Sequence, residues 1–251
     1  MSLEYRSEDE EHVPQQTAAQ LRSVIPLYTY VFVGSIIAVF VVQCITGDAL
    51  SAVLGDERSV FLAGFDKQKF LRSHEHWRIL TGACIHGGSL HIMFNSIAFY
   101  NLGSIFELLS SRAHLAIVFL LSVIGGNILS LVFLPDIPSI GASGGIVGLL
   151  GYLTIYAFRR RQFISAEFRK SLLKNVGFLL IFGLALYQVV DNFGHIGGLV
   201  TGALYGMVQI PSDPHVDPRA AGSAATVAGI VSLGVYIAAC AFSILLLLRV
   251  I

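Results

Sequence analysis

The sequence predicts an all-α fold, a polytopic bundle of helices that cross a membrane. Of the 251 residues, 55% are hydrophobic and 13% are charged, whereas charged residues make up about a quarter of a typical soluble protein. Mean hydropathy is +0.73. The apolar residues gather in runs of about 20, the length that crosses roughly 30 Å of hydrocarbon. The formal net charge of +0 provides no basic field for nucleic acid.

The first 24 residues differ from the rest of the chain. They are polar, with a run of acids at residues 8–11. Such a segment cannot bury enough apolar surface to order itself, so we expect a flexible cytoplasmic tail and no cleavable signal peptide. An apolar run without a charge follows, from Pro26 to about Ile45, and predicts the first span.

Residues 46–80 mix charged side chains with aromatic and aliphatic ones. The mixture is too polar to span a membrane and too apolar for a disordered linker. We therefore expect an ordered loop that lies partly in the membrane interface, with Trp77 and Arg78 as its interfacial anchors.

Six further spans are predicted from apolar runs that end at charged or proline-containing turns. They lie at residues 90–109, 113–134, 143–158, 172–190, 195–209 and 224–248. The second span of the chain carries His91, Asn95 and Glu107. Polar side chains at membrane depth usually face a partner or a water-filled cavity.

Lysine and arginine residues set the expected orientation. With seven spans and a cytoplasmic N-terminus, ten of the sixteen basic residues lie on the cytoplasmic side, most densely at 159–161, in agreement with the positive-inside rule. Ser143 and His195 then begin spans that both start from the extracytoplasmic side. Groups at opposite leaflets could not react, so this agreement permits a shared site.

A serine lies at the start of the fourth span, within the small-residue stretch 141–145. Ser143 is therefore approachable, but its hydroxyl is a poor nucleophile until a base takes its proton. His195 is followed by glycines three, seven and eleven residues later, a spacing that lets helices approach closely. This pattern predicts His195 as the general base for Ser143. A packing serine and a structural histidine are the alternatives.

Acyl transfer also requires hydrogen-bond donors for the developing oxyanion. The backbone N–H of Ser143, at a helix N-terminus, is one candidate. His91 and Asn95 are four residues apart on one helical face and are the side-chain candidates; hydrogen bonding between helices is the alternative for both. Asp191 precedes His195 by four residues, and we expect it to start the helix or contact the loop rather than complete a triad.

Other reactive centres are not indicated by the sequence. It has no HExxH zinc motif, and the cluster at residues 74–76 has the wrong spacing for one. Cys44, Cys84 and Cys240 are far apart, which favours buried free thiols over a disulfide framework or a metal site.

Several motifs occur in one order. They are Trp77-Arg78, His86, His91, Asn95, Gly103, Glu107, Gly141-Ala142-Ser143-Gly144, Gly194-His195-Ile196-Gly197-Gly198 and Gly202. In this combination the chain resembles a rhomboid intramembrane serine protease over about residues 26–210. The resemblance implies a six-helix core at 25–210, followed by a linker and a seventh transmembrane helix at 211–251.

The resemblance also implies roles for individual residues. Ser143 and His195 would form a catalytic dyad without an obligatory acid, and His91 and Asn95 would stabilise the oxyanion. Trp77 and Arg78 would belong to the membrane-embedded first loop. Glu107 would belong to a structural hydrogen-bond network.

Substrates of the family are single-span transmembrane proteins, cut within the lipid bilayer near its extracytoplasmic face, and no metal or organic cofactor is expected.

A catalytically silent relative that binds transmembrane clients for quality control is the alternative function. Such relatives usually lack the serine or the histidine, and both are present here. A transporter would predict a two-fold hydropathy repeat, and the long first loop has no counterpart in the second half.

Overall fold

The computed structural model describes residues 25–213 and 215–250. Within these ranges, regular structure is helical, apart from an isolated antiparallel bridge between Phe65 and Ser139. The α-helices are α1 Leu27–Thr46, α2 Ala49–Leu54, α3 Glu57–Ala63, α4 Lys67–Arg72, α5 Arg78–Thr81, α6 Ser89–Leu109, α7 Arg112–Phe133, α8 Ser143–Arg159, α9 Ala166–Ala185, α10 Asn192–Gln209 and α11 Ser223–Leu247. The predicted acidic tail at residues 1–24 lies outside the described residues.

Seven helices of the described part have 17 residues or more, namely α1 and α6 to α11, and each overlaps one of the predicted apolar runs. Four of them, α1, α6, α7 and α11, are long and apolar enough to cross a membrane by length and composition. Of the others, α8 has 17 residues, α9 includes several basic residues, and α10 contains polar residues and many glycines. The count of seven spans stays a prediction.

Two helices begin earlier than their apolar runs because of N-capping side chains. α9 begins at Ala166, where the Ser165 hydroxyl accepts a backbone hydrogen bond, and it ends at Ala185. α10 begins at Asn192, where the Asp191 carboxylate accepts a backbone hydrogen bond. A cap satisfies an N–H group that would otherwise have no partner in the helix. Each helix therefore includes a polar first turn that hydropathy alone does not predict.

The loop between α1 and α6 is ordered, as predicted, and contains the four short helices α2 to α5. Arg58 joins it to the bundle by donating to the carbonyls of Thr46 and Leu247, at 3.2 and 2.9 Å. Arg78 differs from the interfacial anchor that the sequence predicts. It is 3% exposed and donates to the carbonyl of Gly64 at 2.9 Å. Its guanidinium therefore ties the loop together internally, because its five N–H donors can bind several carbonyls at once.

Glycines let α10 lie directly against α8. A methyl group added to Gly198 would overlap the carbonyl of Gly144, and one added to Gly202 would overlap the carbonyl of Gly148. This close contact is the one predicted from the glycine spacing, and it is confirmed. α7 joins the same contact, which the sequence did not indicate: a methyl group on Gly126 would overlap the α10 backbone.

An aromatic cluster joins α1, α6, α7 and α11. The ring of Phe32 in α1 lies 5.3 Å from Phe99 of α6, 4.8 Å from Phe119 of α7 and 5.2 Å from Tyr236 of α11, centroid to centroid. All four side chains are fully buried. Packed aromatic rings contribute large buried areas and prefer such tilted or offset geometries. The cluster fixes α6, which carries His91 and Asn95, relative to α7.

Candidate active site

The chain between α7 and α8 is fixed to the first loop just before Ser143. Phe65 and Ser139 exchange backbone hydrogen bonds of 3.0 and 3.1 Å, and the N–H of Gly141 donates to the carbonyl of Gly82 at 2.9 Å. Gly141 has a φ of +105°, a conformation open to glycine but strained for other residues. The backbone therefore reaches α8 along a fixed path, with Ser143 as the first helical residue.

The structure brings Ser143 and His195 together. His195 Nε2 lies 2.8 Å from Ser143 Oγ, an ordinary hydrogen-bond distance. With the hydroxyl as donor, Nε2 accepts and the neutral ring carries its proton on Nδ1. That Nδ1 is buried and has no hydrogen-bond partner among the described residues. A hydroxyl bonded to an unprotonated imidazole nitrogen can serve as a nucleophile with its base.

His91 and Asn95 lie against the chain just before Ser143. A methyl group added to Gly141 would lie 2.6 Å from His91 Nε2 and 3.5 Å from Asn95 Nδ2. The N–H of Gly87 donates to His91 Nδ1 at 3.2 Å, so the neutral ring carries its proton on Nε2. Asn95 Nδ2 is buried without a partner in the described part of the chain. Two side-chain N–H donors thus adjoin the glycine that lies two residues before Ser143.

His86 is buried beside His91, with 5.1 Å between the ring centroids. Its backbone N–H and carbonyl both bond to the side-chain amide of Gln43, at 3.1 Å each. Burial, and to a lesser extent His91, lowers the pKa of His86 to about 3, because both disfavour the charged ring. His86 is therefore a neutral neighbour that packs beside His91.

Asp191 caps α10 and is not bonded to the His195 ring. Its Oδ1 accepts from the N–H of Gly194 at 2.8 Å, and its Oδ2 accepts from the hydroxyls of Ser130 and Ser139. The expected role at the helix start is confirmed. Among the described residues, no carboxylate is bonded to His195 Nδ1.

Lys67 lies beside this carboxylate, although the sequence marks it only as a loop charge. The residue is 1% exposed, and its Nζ donates to Ser130 Oγ at 2.6 Å and to the carbonyl of Leu134 at 2.9 Å. Lys67, Ser130 and Ser139 are neighbours of the site that sequence reasoning missed. Their contacts join three distant segments, and no local pattern could have revealed them.

Three other predicted residues make contacts away from Ser143. Trp77 packs edge-on against α11, and the Arg78 guanidinium lies 4.5 Å from the indole ring. Glu107 is buried at the opposite end of α6, where it accepts from the N–H and hydroxyl of Thr29 at 2.7 and 2.8 Å and from Arg112 at 3.1 Å. These contacts hold the loop and the helices in place.

A cavity of about 20 Å³ adjoins the Ser143 and His195 side chains, with Gly141, Gly144 and Asp191 also in its wall. A cavity of that size has room for about one water molecule. A hydroxyl, a base and preorganised N–H donors in one place are the components that acyl transfer needs.

Comparison with known proteins places the chain in a family. A family model described as a rhomboid domain matches residues 73–212. Rhomboid protease GluP of Bacillus subtilis (strain 168) is 31% identical, over 74% of this chain and 35% of its own length. RHOMBOID-like protein 4 of Arabidopsis thaliana is 33% identical, over 59% of this chain and 38% of its own length. Inactive RHOMBOID-like protein 8 of the same plant is 26% identical, over 56% and 40%.

The chain thus spans 35–40% of the length of these relatives. The matched residues include α6 to α10, with both Ser143 and His195. With the four apolar helices, they indicate an integral membrane protein. The chain belongs to the rhomboid family.

Proposed function

We propose that this protein is an intramembrane serine endopeptidase in which Ser143 is the nucleophile and His195 is the general base. The observation that carries the proposal is the distance of 2.8 Å between Ser143 Oγ and His195 Nε2. The similarity to a relative named a rhomboid protease supports it as well.

In the first step, Ser143 Oγ attacks the carbonyl carbon of the scissile peptide while His195 Nε2 takes the hydroxyl proton. The carbonyl oxygen becomes an oxyanion. The Ser143 N–H, His91 Nε2 and Asn95 Nδ2 are its donors, because all three lie at or near the Gly141–Ser143 segment. Donors that are fixed before the reaction need no reorganisation when the charge develops.

In the second step, His195 gives its proton to the leaving amine, and the peptide bond breaks to leave an acyl ester on Ser143. A water molecule, deprotonated by the same imidazole, then attacks the ester carbonyl; the bond to Ser143 Oγ breaks, the imidazolium returns the proton to Oγ, and the carboxyl product is released. The cavity beside both side chains has the volume for that water.

The acid of a triad has no place in this scheme. The Asp191 carboxylate is engaged by Gly194, Ser130 and Ser139, and His195 Nδ1 is unpaired among the described residues. This arrangement supports a dyad, with α8 and α10 orienting the two groups through their glycine contacts.

The substrates of the proposed enzyme are single-span transmembrane proteins, cut near the extracytoplasmic face of the bilayer. The N-terminus is cytoplasmic, with α1 and α6 to α10 as the six-helix core at residues 25–210, and α11 appended within 211–251. The arginines at 159–161 lie at the end of α8 opposite Ser143. By the positive-inside rule that end is cytoplasmic, which supports an active site open to the other side.

A second function has support from relatives that are named inactive, among them Inactive RHOMBOID-like protein 8. In this alternative the chain binds transmembrane clients for quality control without cleaving them. The hydroxyl and imidazole would then be structural, and their contact would be a helix–helix hydrogen bond.

Cleavage of a tagged single-span protein in liposomes tests the proposal. Ser143→Ala and His195→Ala should each reduce cleavage to background and abolish labelling by a fluorophosphonate, while thermal unfolding stays near that of the wild type. Ser243→Ala is the matched control, because this buried serine lies in α11 and donates to the carbonyl of Ala239 in the same helix, and it should cleave normally. Full activity of Ser143→Ala would end the proposal. A wild type that binds the substrate but neither cleaves nor labels would favour the client-binding function.

A further inference from the structure

A buried cation lies close to the Ser143–His195 pair. Lys67, in the first loop, is 1% exposed. Its Nζ donates to Ser130 Oγ at 2.6 Å and to the carbonyl of Leu134 at 2.9 Å. Leu134 is the C-cap of α7, where a positive charge is favourable because the last carbonyls carry partial negative charge. The lysine therefore caps the C-terminal end of α7 and also donates to Ser130 in the last turns of the same helix.

The cation is linked through serines to a partly buried carboxylate. Ser130 Oγ accepts from Lys67 and donates to Asp191 Oδ2. Ser139 Oγ lies 3.1 Å from Ser130 Oγ and donates to the same carboxylate oxygen. Burial lowers the pKa of Lys67, and the charge of Asp191 opposes that shift. The charge of Asp191 therefore offsets part of the cost of burying the cation.

The carboxylate in turn binds both segments of the candidate active site. Asp191 Oδ1 accepts from the N–H of Gly194, and the carbonyl of Asp191 accepts from the N–H of His195 at 3.1 Å. On the other side, Ser139 lies four residues before Ser143, and its backbone is paired with Phe65. One side chain therefore links the first turn of α10 to the chain that leads into α8.

We propose that Lys67 and Asp191 are positioning residues, which set the spacing between Ser143 and His195 through Ser130 and Ser139. This inference rests on the proposed function. Neither residue contacts the reacting atoms in this scheme. Lys67 fixes the carboxylate, the carboxylate fixes the first turn of α10 and residue 139, and those segments carry the base and the nucleophile.

The test compares Lys67→Met, Asp191→Asn and the double variant in liposomes with a single-span substrate. Each single change should lower kcat by about 10- to 100-fold, as small misplacements of reacting groups do, and should leave KM nearly unchanged. The rate of fluorophosphonate labelling at Ser143 should fall in parallel. The double variant should be no slower than the slower single variant, because residues that act through one network are not additive.

Two charged residues near Lys67 provide matched controls. Lys69→Met changes a more exposed lysine of the same short helix, paired with Asp66 at 3.9 Å. Asp136→Asn changes an exposed acid that bonds to Gln68 at 2.8 Å. Both controls should keep the wild-type kcat. Lys67→Arg, which retains the cation, should recover part of the activity. Should Lys67→Met fail to fold, Ser139→Ala decides, since it removes one link but keeps both charges, and it should lower kcat by about 10-fold.

A role confined to stability would lower the unfolding temperature of the Lys67 and Asp191 variants while kcat and the labelling rate of the folded protein stay at wild-type values. That result, or losses that multiply in the double variant, would overturn the inference and leave the proposed function standing. A wild type that neither cleaves nor labels would overturn the proposed function itself, and the inference with it.

Discussion

The two ends of the helix bundle differ in whether their buried polar groups have hydrogen-bond partners. At the end where α6, α8 and α10 begin, nitrogen atoms of His86, Asn95 and His195 are buried without a partner among the described residues. At the opposite end, where α6 stops and α7 starts, the Glu107 carboxylate accepts three hydrogen bonds. One end is left open to a further partner, and the other is closed.

The difference follows from what each end has to do. A buried polar atom without a partner costs about 1–3 kcal/mol, so such atoms are expected where function requires them. In the proposed reaction, the substrate oxyanion is the acceptor for Asn95. The opposite end binds no reacting group, and its buried carboxylate and guanidinium are hydrogen-bonded; Ser104 Oγ there has no partner among the described residues. Arg160 is 4% exposed; both of its terminal nitrogens donate to backbone carbonyls, and only its Nε lacks a partner in the described part.

The largest effect is expected from a substitution at the contact between α8 and α10, the two helices that run between the ends of the bundle. Gly202→Val would force a side chain against the backbone of Gly148, which cannot yield. We expect the free energy of unfolding to fall by about 1–3 kcal/mol or more, the usual cost of overpacking a close contact. Cleavage should be lost because His195 moves away from Ser143. Thermal unfolding in detergent and the liposome assay measure both effects.

The same substitution at Gly177 is the control, because nothing lies within 4 Å of an added Cβ there. Gly177→Val should leave the unfolding temperature unchanged or slightly higher, since valine is a better helix former than glycine. Equal damage at the two positions would mean that close backbone contact is not what holds the bundle together.

The next largest effect is expected from a substitution at the open end, and it should change catalysis without changing stability. Asn95→Ala removes a buried donor that has no partner among the described residues, so unfolding should be unchanged, whereas kcat should fall by about 100- to 1000-fold, the usual effect of losing one oxyanion donor. Asn101→Ala, at an exposed position of the same helix, should keep full activity. An Asn95→Ala protein that is unstable but fully active when folded would assign Asn95 to structure.

The closed end should show the reverse. Glu107→Ala leaves the buried N–H and hydroxyl of Thr29 without their acceptor, so we expect unfolding to become easier by about 1–3 kcal/mol. The folded variant should retain its kcat, because Glu107 lies at the other end of α6 from His91. Glu167→Ala, at an exposed position in α9, is the control for removal of a charge. A large loss of kcat without a loss of stability would contradict this division between the ends.

Much of this organisation could be predicted from the sequence, because it is local or periodic. The long helices follow from apolar runs, and the approach of Ser143 to His195 follows from glycines spaced along α10. Lys67 and Arg78 could not be placed in this way. Both are charged residues in a polar loop, yet both are buried, because carbonyls and hydroxyls from distant segments surround them. Hydropathy describes a residue and its neighbours in the chain, and these burials depend on partners as far away as Leu134.

The smallest effect concerns an exposed ion pair near the closed end. Hydrogen bonding to Arg219 is the main cause that lowers the pKa of Asp217, and Arg219 lies 3.0 Å away. Because the pKa of Asp217 is lower in the folded protein than its unfolded value of 3.8, the ionised carboxylate stabilises the fold at pH values above 3.8. This contribution is lost as the pH falls through the folded pKa. Because the side chains are 49% and 59% exposed, solvent screens the pair, and we expect only about 0.2–1 kcal/mol.

Asp217→Asn isolates this charge, since the amide oxygen can still accept the hydrogen bond from the Arg219 N–H. The wild type should unfold at a slightly higher temperature than the variant at pH 7. The gap should narrow as the pH falls below about 4, where the unfolded carboxyl gains a proton, and close below the folded pKa, where the carboxyl is protonated in both states. Added salt should also narrow the gap at pH 7. A gap that is unchanged at low pH would mean that packing of the linker, rather than charge, connects Asp217 to stability.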